Sequence, residues 1–120
     1  MRYVDGYLLP VPKRRVAQYR RMARKAGKIW MEHGALEYRE CVGEDLAIKG
    51  VVPFTRQMRL KPGETVVFAW IVYKSKADRN RVNAKVMRDP RMRPPDPKAI
   101  PFDPKRMVYG GFEAVVDLTG

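Results

Sequence analysis

The sequence predicts a single domain of the α+β class, on the basis of its length and of two kinds of apolar periodicity. A chain of 120 residues has room for one domain with its own core. Apolar residues at every second position predict strands in several segments, and a period of three to four predicts helices in two others. A hydrophobic fraction of 45% is ordinary for a globular chain. The order of these segments along the chain then defines the expected fold.

Five segments are predicted to be strands from their β-branched and aromatic content. They are Tyr3–Val11, Leu36–Val42, Phe54–Leu60, Thr65–Tyr73 and Arg106–Asp117. Pro and Gly at the centre of Lys61–Glu64 favour a type II turn, which would join the third and fourth strands as a hairpin. Two adjacent glycines inside the last strand predict a bend or a bulge there.

Two helices are predicted between these strands. The first covers Lys13–His33, and Gly34 stands where a left-handed cap would end it. The second begins at Ser75, whose spacing to Asp78 resembles a capping box, and runs to about Arg88. The resulting order, β-α-β-β-β-α-β, is a ferredoxin-like unit with one additional strand. It predicts a mainly antiparallel sheet with both helices on one face.

One face of this sheet is predicted to be apolar and to lack a cover. The strand Thr65–Tyr73 has apolar side chains on both sides, whereas a sheet with one wet face alternates apolar and polar residues. Two helices cover one face only, so a second copy of the chain is expected to cover the other in a homodimer. In the alternative interpretation, the chain is a monomer whose Glu44–Pro53 loop and proline-rich segment Asp89–Pro104 fold over the sheet.

Polar residues within the strands are the candidates for a ligand site. Carboxylates in a mainly apolar sheet must be paired, hydrogen-bonded or beside a cavity, and Arg39 and Arg106 are the predicted partners. We expect a sheet-lined cavity, roofed by Asp89–Pro104, that binds a small, partly apolar molecule. The predicted ligand-binding residues are Asp5, Tyr7, Tyr38, Glu40, Tyr109 and Glu113, beside Trp70. Alternatively, the carboxylates form ion pairs at a dimer interface.

No set of residues in the sequence has the pattern of a catalytic centre. Cys41 lies within a strand and is predicted to be a small buried residue. His33 ends a helix, where the helix dipole favours it, and a structural role is predicted. Phosphate-loop, nucleotide-binding and metal-ligand spacings are not found, so neither a cofactor nor a metal is predicted. Whether the protein is an enzyme stays open at this point.

The positive charge is concentrated in the two predicted helices. The formal net charge is +12, and Lys13–Lys28 contains eight basic residues and no acidic one. This pattern is typical of contact with a phosphate backbone, and it makes a nucleic-acid-associated protein, using Lys13–Lys28 and Lys76–Arg88, an alternative function. The predicted contact residues are Arg14, Arg21, Arg24, Lys25, Lys28, Arg81 and Lys85. The simpler interpretation is a pair of solvated helix faces with weak, non-specific binding.

Other classes of protein are excluded by what the chain contains. A single Cys cannot form an internal disulfide framework. No apolar run approaches the roughly 20 residues of a membrane span, and the first twelve residues are too polar for a signal peptide. We therefore expect a cytoplasmic protein without a membrane partner.

Several segments of the sequence resemble a known family. They are Tyr3–Tyr7, Glu32–Leu36, Glu64–Tyr73, Asp89–Met92 and Pro101–Glu113. Together they resemble the YbaA-like family, a domain of unknown function in the dimeric α/β-barrel superfamily. The resemblance implies a ferredoxin-like fold and a face-to-face dimer, and it implies no established activity. The superfamily includes cofactor-independent monooxygenases, haem-degrading enzymes and small binding proteins, so a monooxygenase-like activity is a further alternative.

Overall fold

Four antiparallel strands form one sheet in this computed structural model, which describes residues 1–93 and 96–120. The sheet order is β2-β3-β1-β4. The strands are β1 (Tyr3–Pro12), β2 (Glu37–Val42), β3 (Glu64–Tyr73) and β4 (Val108–Glu113). The helices are α1 (Val16–Glu32), a short α2 (Phe54–Gln57) and α3 (Lys76–Arg88). This mixed α+β architecture agrees with the predicted class and is consistent with a ferredoxin-like fold.

The ends of the two long helices confirm the local sequence signals. Gly34 has φ +118°, and the N–H of Ala35 donates to the Trp30 carbonyl at 3.1 Å. The N–H of Gly34 donates to the Met31 carbonyl at 3.2 Å, which completes a Schellman motif. At the start of α3, the Ser75 hydroxyl accepts a hydrogen bond from the Asp78 N–H at 3.1 Å. Glycine and serine therefore end and begin these helices as predicted.

The predicted strand Phe54–Leu60 is wrong, because this segment begins with the helix α2. Its backbone bonds are helical, as the Met58 N–H donates to the Phe54 carbonyl at 2.8 Å. Phe54 and Met58 are four residues apart, a spacing that fits one side of a strand and one side of a helix equally well. The type II turn is confirmed by Gly63 at φ +82°, but it leads into β3 and joins no hairpin.

The last strand is shorter and more regular than predicted. A 3-10 turn at Pro104–Arg106 precedes it, and its register with β1 runs without interruption from Glu113 to Val108. The expected bulge at the glycine pair is therefore wrong. Gly111 instead makes room for an aromatic ring, since an added Cβ would lie 2.7 Å from Tyr3 Cε2.

The core lies between one face of the sheet and the helices. One cluster joins β1 and β3 to the first half of α1, and the other joins β3 to the end of α1 and to α3. The first contains Leu9, Val11, Tyr19, Ala23, Val67 and Ala69, and the second Ile29, Ala35, Ile71, Tyr73, Val82 and Val86. Both long helices thus pack on one face, as predicted. Among the described residues, no helix is long and apolar enough to cross a membrane.

The opposite side of the sheet, here called the open face, is largely apolar and exposed in the single chain. The open face consists of Val4, Leu8, Phe68, Trp70, Val108 and Phe112. The exposed fractions are 46% for Phe68, 51% for Val108 and 62% for Phe112. The predicted uncovered surface is therefore present.

The two segments proposed to cover the sheet of a monomer leave most of the open face bare. In the described part of Asp89–Pro104, Phe102 packs edge-on against Tyr19 on the helix side, with 5.9 Å between ring centroids. Pro94 and Pro95 of this segment lie outside the described residues. The Glu44–Pro53 loop places Leu46 at one end of the open face, in a pocket that Leu8 and Phe68 also line. At the same end Phe54, the first residue of α2, contacts Phe68 at a centroid distance of 6.5 Å.

Candidate functional site

Glu40 is a carboxylate held between the sheet and α1 by two tyrosine hydroxyls. It lies on the edge strand β2, and the alternation of the strand places it on the helix side together with Tyr38. The Tyr19 hydroxyl donates to Glu40 Oε1 at 2.6 Å, and the Tyr38 hydroxyl donates to Glu40 Oε2 at 2.6 Å. Both oxygens are thereby oriented, and each retains capacity to accept another hydrogen bond.

The surroundings of Glu40 shift the pKa values of all three groups upward. Burial raises the pKa of Glu40 because it disfavours the charged carboxylate, and the two tyrosine hydrogen bonds oppose this shift. Burial, followed by the nearby negative charge of Glu40, raises the pKa of Tyr19 and of Tyr38. The two tyrosines therefore stay protonated and act as donors throughout the physiological range.

A glycine inside α1 allows this arrangement. A Cβ added at Gly27 would lie 2.6 Å from Cδ1 of Tyr38, so the tyrosine ring can pack this close to the helix only at a residue without a side chain. Glycine in a helix interior costs roughly 0.5–1 kcal/mol relative to alanine. Here that cost is offset by the close packing of the tyrosine that orients Glu40.

Glu40 faces two spaces that flank it. The inner one is a cavity of about 170 Å³ between the sheet and α1, which includes Tyr7, Trp30 and Phe102 in its lining. The outer one is an open groove of about 660 Å³ between α1 and β2, here called the α1–β2 groove. Glu40, Tyr19 and Tyr38 line both spaces. The groove lies within the usual range of roughly 300–1,000 Å³ for small-molecule sites.

A second buried polar group lies on the same side of the sheet, at Asp5. Arg79 Nη1 is 3.7 Å from Asp5 Oδ1, and Asn83 Nδ2 donates to Asp5 Oδ2 at 3.4 Å. The same guanidinium donates to the Tyr109 hydroxyl at 2.8 Å and to the Tyr3 hydroxyl at 3.2 Å. This arrangement ties α3 to β1 and β4, so we assign it a structural role.

The predicted arginine partners of the carboxylates are wrong. Arg39 lies 3.6 Å from Glu37, its neighbour on the same strand. Arg106 donates to Glu64 at 2.7 and 3.0 Å. Glu40 is held instead by Tyr19 of α1 and by Tyr38 of its own strand. Asp5 is held by Arg79 and Asn83 of α3.

The structure divides the seven predicted ligand-binding residues into separate groups. Tyr38 and Glu40 line the groove and the cavity, and Tyr7 lines the cavity and stacks on Tyr109 at a centroid distance of 4.9 Å. Asp5 belongs to the second polar group, and Glu113 is exposed at the end of β4. Trp70 is on the open face, paired in register with Gly6 and Arg39, so the sheet separates it from Tyr38 and Glu40. Tyr7 and Tyr109 contribute to the same open-face pocket as Trp70.

Two residues at the centre of these groups were not among the predicted site residues. Tyr19 lies within the predicted first helix, and a tyrosine that is buried on the apolar side of a helix needs a partner for its hydroxyl. Arg79 was counted only within the positive charge of α3. The sequence signal for this site is Gly27. A glycine inside a helix lowers stability and often has a packing reason, which here is the close contact with the Tyr38 ring.

The structure also places the remaining candidates. Cys41 is exposed on the strand β2, so the prediction of a buried residue is wrong. His33 Nε2 lies 2.9 Å from Asp89 Oδ2, a contact that ties the end of α1 to the residue after α3 and fits a structural role. Hydrogen bonds, first from Arg91 and then from His33, lower the pKa of Asp89. Within the described ranges, no three potential ligands meet as a metal site.

All seven predicted nucleic-acid contacts are exposed on the helix side of the molecule. Arg24 and Lys28 line the α1–β2 groove, whereas Arg21 and Lys25 line a separate cleft beside Met92. Arg81 pairs with Asp78 within α3. These positions leave nucleic-acid binding as a prediction.

The fold and the site define an α+β protein with a tyrosine-bound carboxylate beside an open groove. The chain belongs to the family described as "Protein of unknown function (DUF1428)", which it matches over residues 2–104. It is 44% identical over 117 residues to the uncharacterized protein YbaA of Escherichia coli K12, covering 98% of this chain and 99% of that protein. YbaA of Shigella flexneri matches equally well, with 44% identity over 117 residues.

One solved structure, the de novo designed protein Foldit4, aligns with 93% of this chain and 94% of its own. Its TM-score is 0.45 and its sequence identity is 14%. A similarity at this level carries no conclusion about function.

Proposed function

We propose that this protein binds a small, partly apolar molecule in the α1–β2 groove, with Glu40 as the polar anchor. The observation that carries the proposal is a half-buried carboxylate that is oriented by two tyrosine hydroxyls at 2.6 Å and still borders open space. Apolar walls with a few oriented polar groups are typical of small-molecule sites. The bound molecule presents an O–H or N–H group to Glu40, since a carboxylate can only accept.

The experiment compares two matched variants of the same strand. Glu40→Gln removes the charged acceptor within the groove, and Glu37→Gln makes the same change on the other side of β2. With 1-octanol as the probe, amide chemical shifts in NMR spectra give the affinity of each protein. Hydrogen bonds to charged groups exceed neutral ones by about 1 kcal/mol, so we expect Glu40→Gln to weaken binding by about fivefold. Glu37→Gln should bind as the unmodified protein does. Equal affinities in both variants, or no binding of the alcohol, would overturn the proposal.

We further propose that the open face is the interface of a homodimer. Its exposed aromatic and aliphatic side chains form one contiguous apolar surface, and such surfaces mark interaction sites. Three more apolar residues that follow β4, Val115, Val116 and Leu118, are between 76% and 89% exposed. A two-fold axis through the sheet would cover the same side chains on both copies at once. The dimer leaves the α1–β2 groove free, because α1 packs on the other side of the sheet.

A further inference from the structure

The outer wall of the α1–β2 groove has an unopposed row of positive charge. Arg20, Arg24 and Lys28 line the groove at intervals of four residues on α1, and all three are exposed. Side chains four residues apart are neighbours on a helix, and like charges at this spacing destabilise it. None of the three forms an ion pair with a carboxylate in residues 1–93 or 96–120. A bound anion would relieve their mutual repulsion.

The two carboxylates that line the groove do not neutralise this row. Glu32 accepts a hydrogen bond from Arg91 Nη2 at 2.7 Å, a partner outside the groove. Glu40 accepts from Tyr19 and Tyr38 at the inner side, next to the cavity. The groove therefore has a negative group at its inner side and free positive groups along its helix wall.

The surface between these charged groups is apolar. Val16, Ala23, Gly27 and Met31 of α1 contribute to it, as does Val42 of β2. An apolar chain or ring gains about 25 cal/mol for each Å² that it removes from water, so this surface favours a hydrocarbon body. The repulsion between Glu40 and an acid group would direct that group toward the cations and away from the cavity.

From these three features we infer that the molecule bound in the α1–β2 groove is an amphipathic anion, a small carboxylic acid with an apolar chain or ring. Its acid group lies against Arg24 and Lys28, and its apolar body lies between α1 and β2. A hydroxyl or amino group on that body donates to Glu40, as the proposed function requires. The inference rests on the proposed binding function and adds the chemical class of the ligand. It also assigns a role to Arg24 and Lys28 that differs from contact with a phosphate backbone.

The test uses three probes that share one hydrocarbon chain and differ in charge: octanoate, 1-octanol and octylammonium. Amide shifts of the full-length protein are followed in NMR titrations with each probe. We expect octanoate to bind about two- to fivefold more tightly than 1-octanol for each cation that it engages, as for exposed ion pairs. Octylammonium should bind more weakly than octanoate. The amides that shift should belong to α1 and β2.

Two double variants of α1 separate the groove cations from the general charge of the helix. Arg24→Ala/Lys28→Ala removes two groove cations, and Arg21→Ala/Lys25→Ala removes two cations from the neighbouring cleft. Both pairs change the net charge equally. The first should weaken octanoate binding about four- to twenty-fivefold and 1-octanol binding by a clearly smaller factor, and the second should leave both affinities unchanged.

The outcomes distinguish this inference from the proposed function. Equal losses of octanoate affinity in the two double variants would show a general charge effect and would overturn the inference. Tighter binding of octylammonium than of octanoate would also overturn it, with Glu40 as the dominant charge. In both cases binding of 1-octanol in the groove would leave the proposed function intact. Failure of all three probes to bind would overturn the inference and the proposed function together.

Discussion

Substitution of Phe112 by Asp should dissociate the proposed dimer. Phe112 is 62% exposed in the single chain, which corresponds to about 120 Å² for a phenylalanine of about 200 Å². Covering that area is worth about 3 kcal/mol, and about 6 kcal/mol when a two-fold axis covers it on both copies. The substitution also buries a charge that lacks a partner. We therefore expect the dimer to weaken by at least about 10⁴-fold, at about 1.4 kcal/mol for each factor of ten.

Sedimentation equilibrium over a range of micromolar concentrations measures this change directly. The unmodified chain should sediment as two copies of 13.9 kDa, and Phe112→Asp should sediment as one. Met87→Asp is the matched control, because Met87 is similarly exposed, at 67%, but lies on α3. A monomeric unmodified chain at these concentrations, or equal dissociation of both variants, would show that the open face is not the interface.

Two further predictions concern stability. Gly27→Ala should lower the free energy of unfolding by about 1–3 kcal/mol, as overpacking does, because the new Cβ meets the ring of Tyr38. Urea unfolding measures this change, and an unchanged midpoint would contradict the close packing of Tyr38 on α1. The hydrogen bonds from Arg106 lower the pKa of Glu64 below its ordinary 4.5. Their contribution to the free energy of unfolding is therefore fully present above about pH 4.5 and is lost as the pH falls through the lowered pKa. Arg106→Met should reduce the stability at pH 7 more than at pH 3, and an equal loss at both pH values would refute this assignment.

The sequence predicted best those features that depend on neighbouring residues. Gly34 and Ser75 mark the ends of helices because their side chains, or the lack of one, act on the adjacent backbone. The strand predicted at Phe54–Leu60 failed because an interval of four between apolar residues fits both kinds of element. Pro53 is the N-cap of α2 and has no side-chain hydrogen bond to the helix, so the sequence has no capping signal there that would favour a helix over a strand.

The candidate site was predicted in part for a related reason. Glu40 and Tyr38 are two residues apart on one strand, so the period of the strand places them together. Tyr19 and Arg79 reach their partners across 21 and more than 70 positions of the chain, and no local pattern encodes such contacts. Trp70 is on the opposite side of the sheet from Tyr38 and Glu40. Alternation groups the residues of one strand but leaves open which group meets the helices.

Glu40 is the proposed anchor of a small-molecule site between α1 and β2. A crystal structure of the protein grown with 1-octanol tests it most directly. We expect density for the alcohol in the α1–β2 groove, with its hydroxyl within hydrogen-bonding distance of a Glu40 carboxylate oxygen. Density for the alcohol only on the open face, with an unoccupied groove, would contradict it.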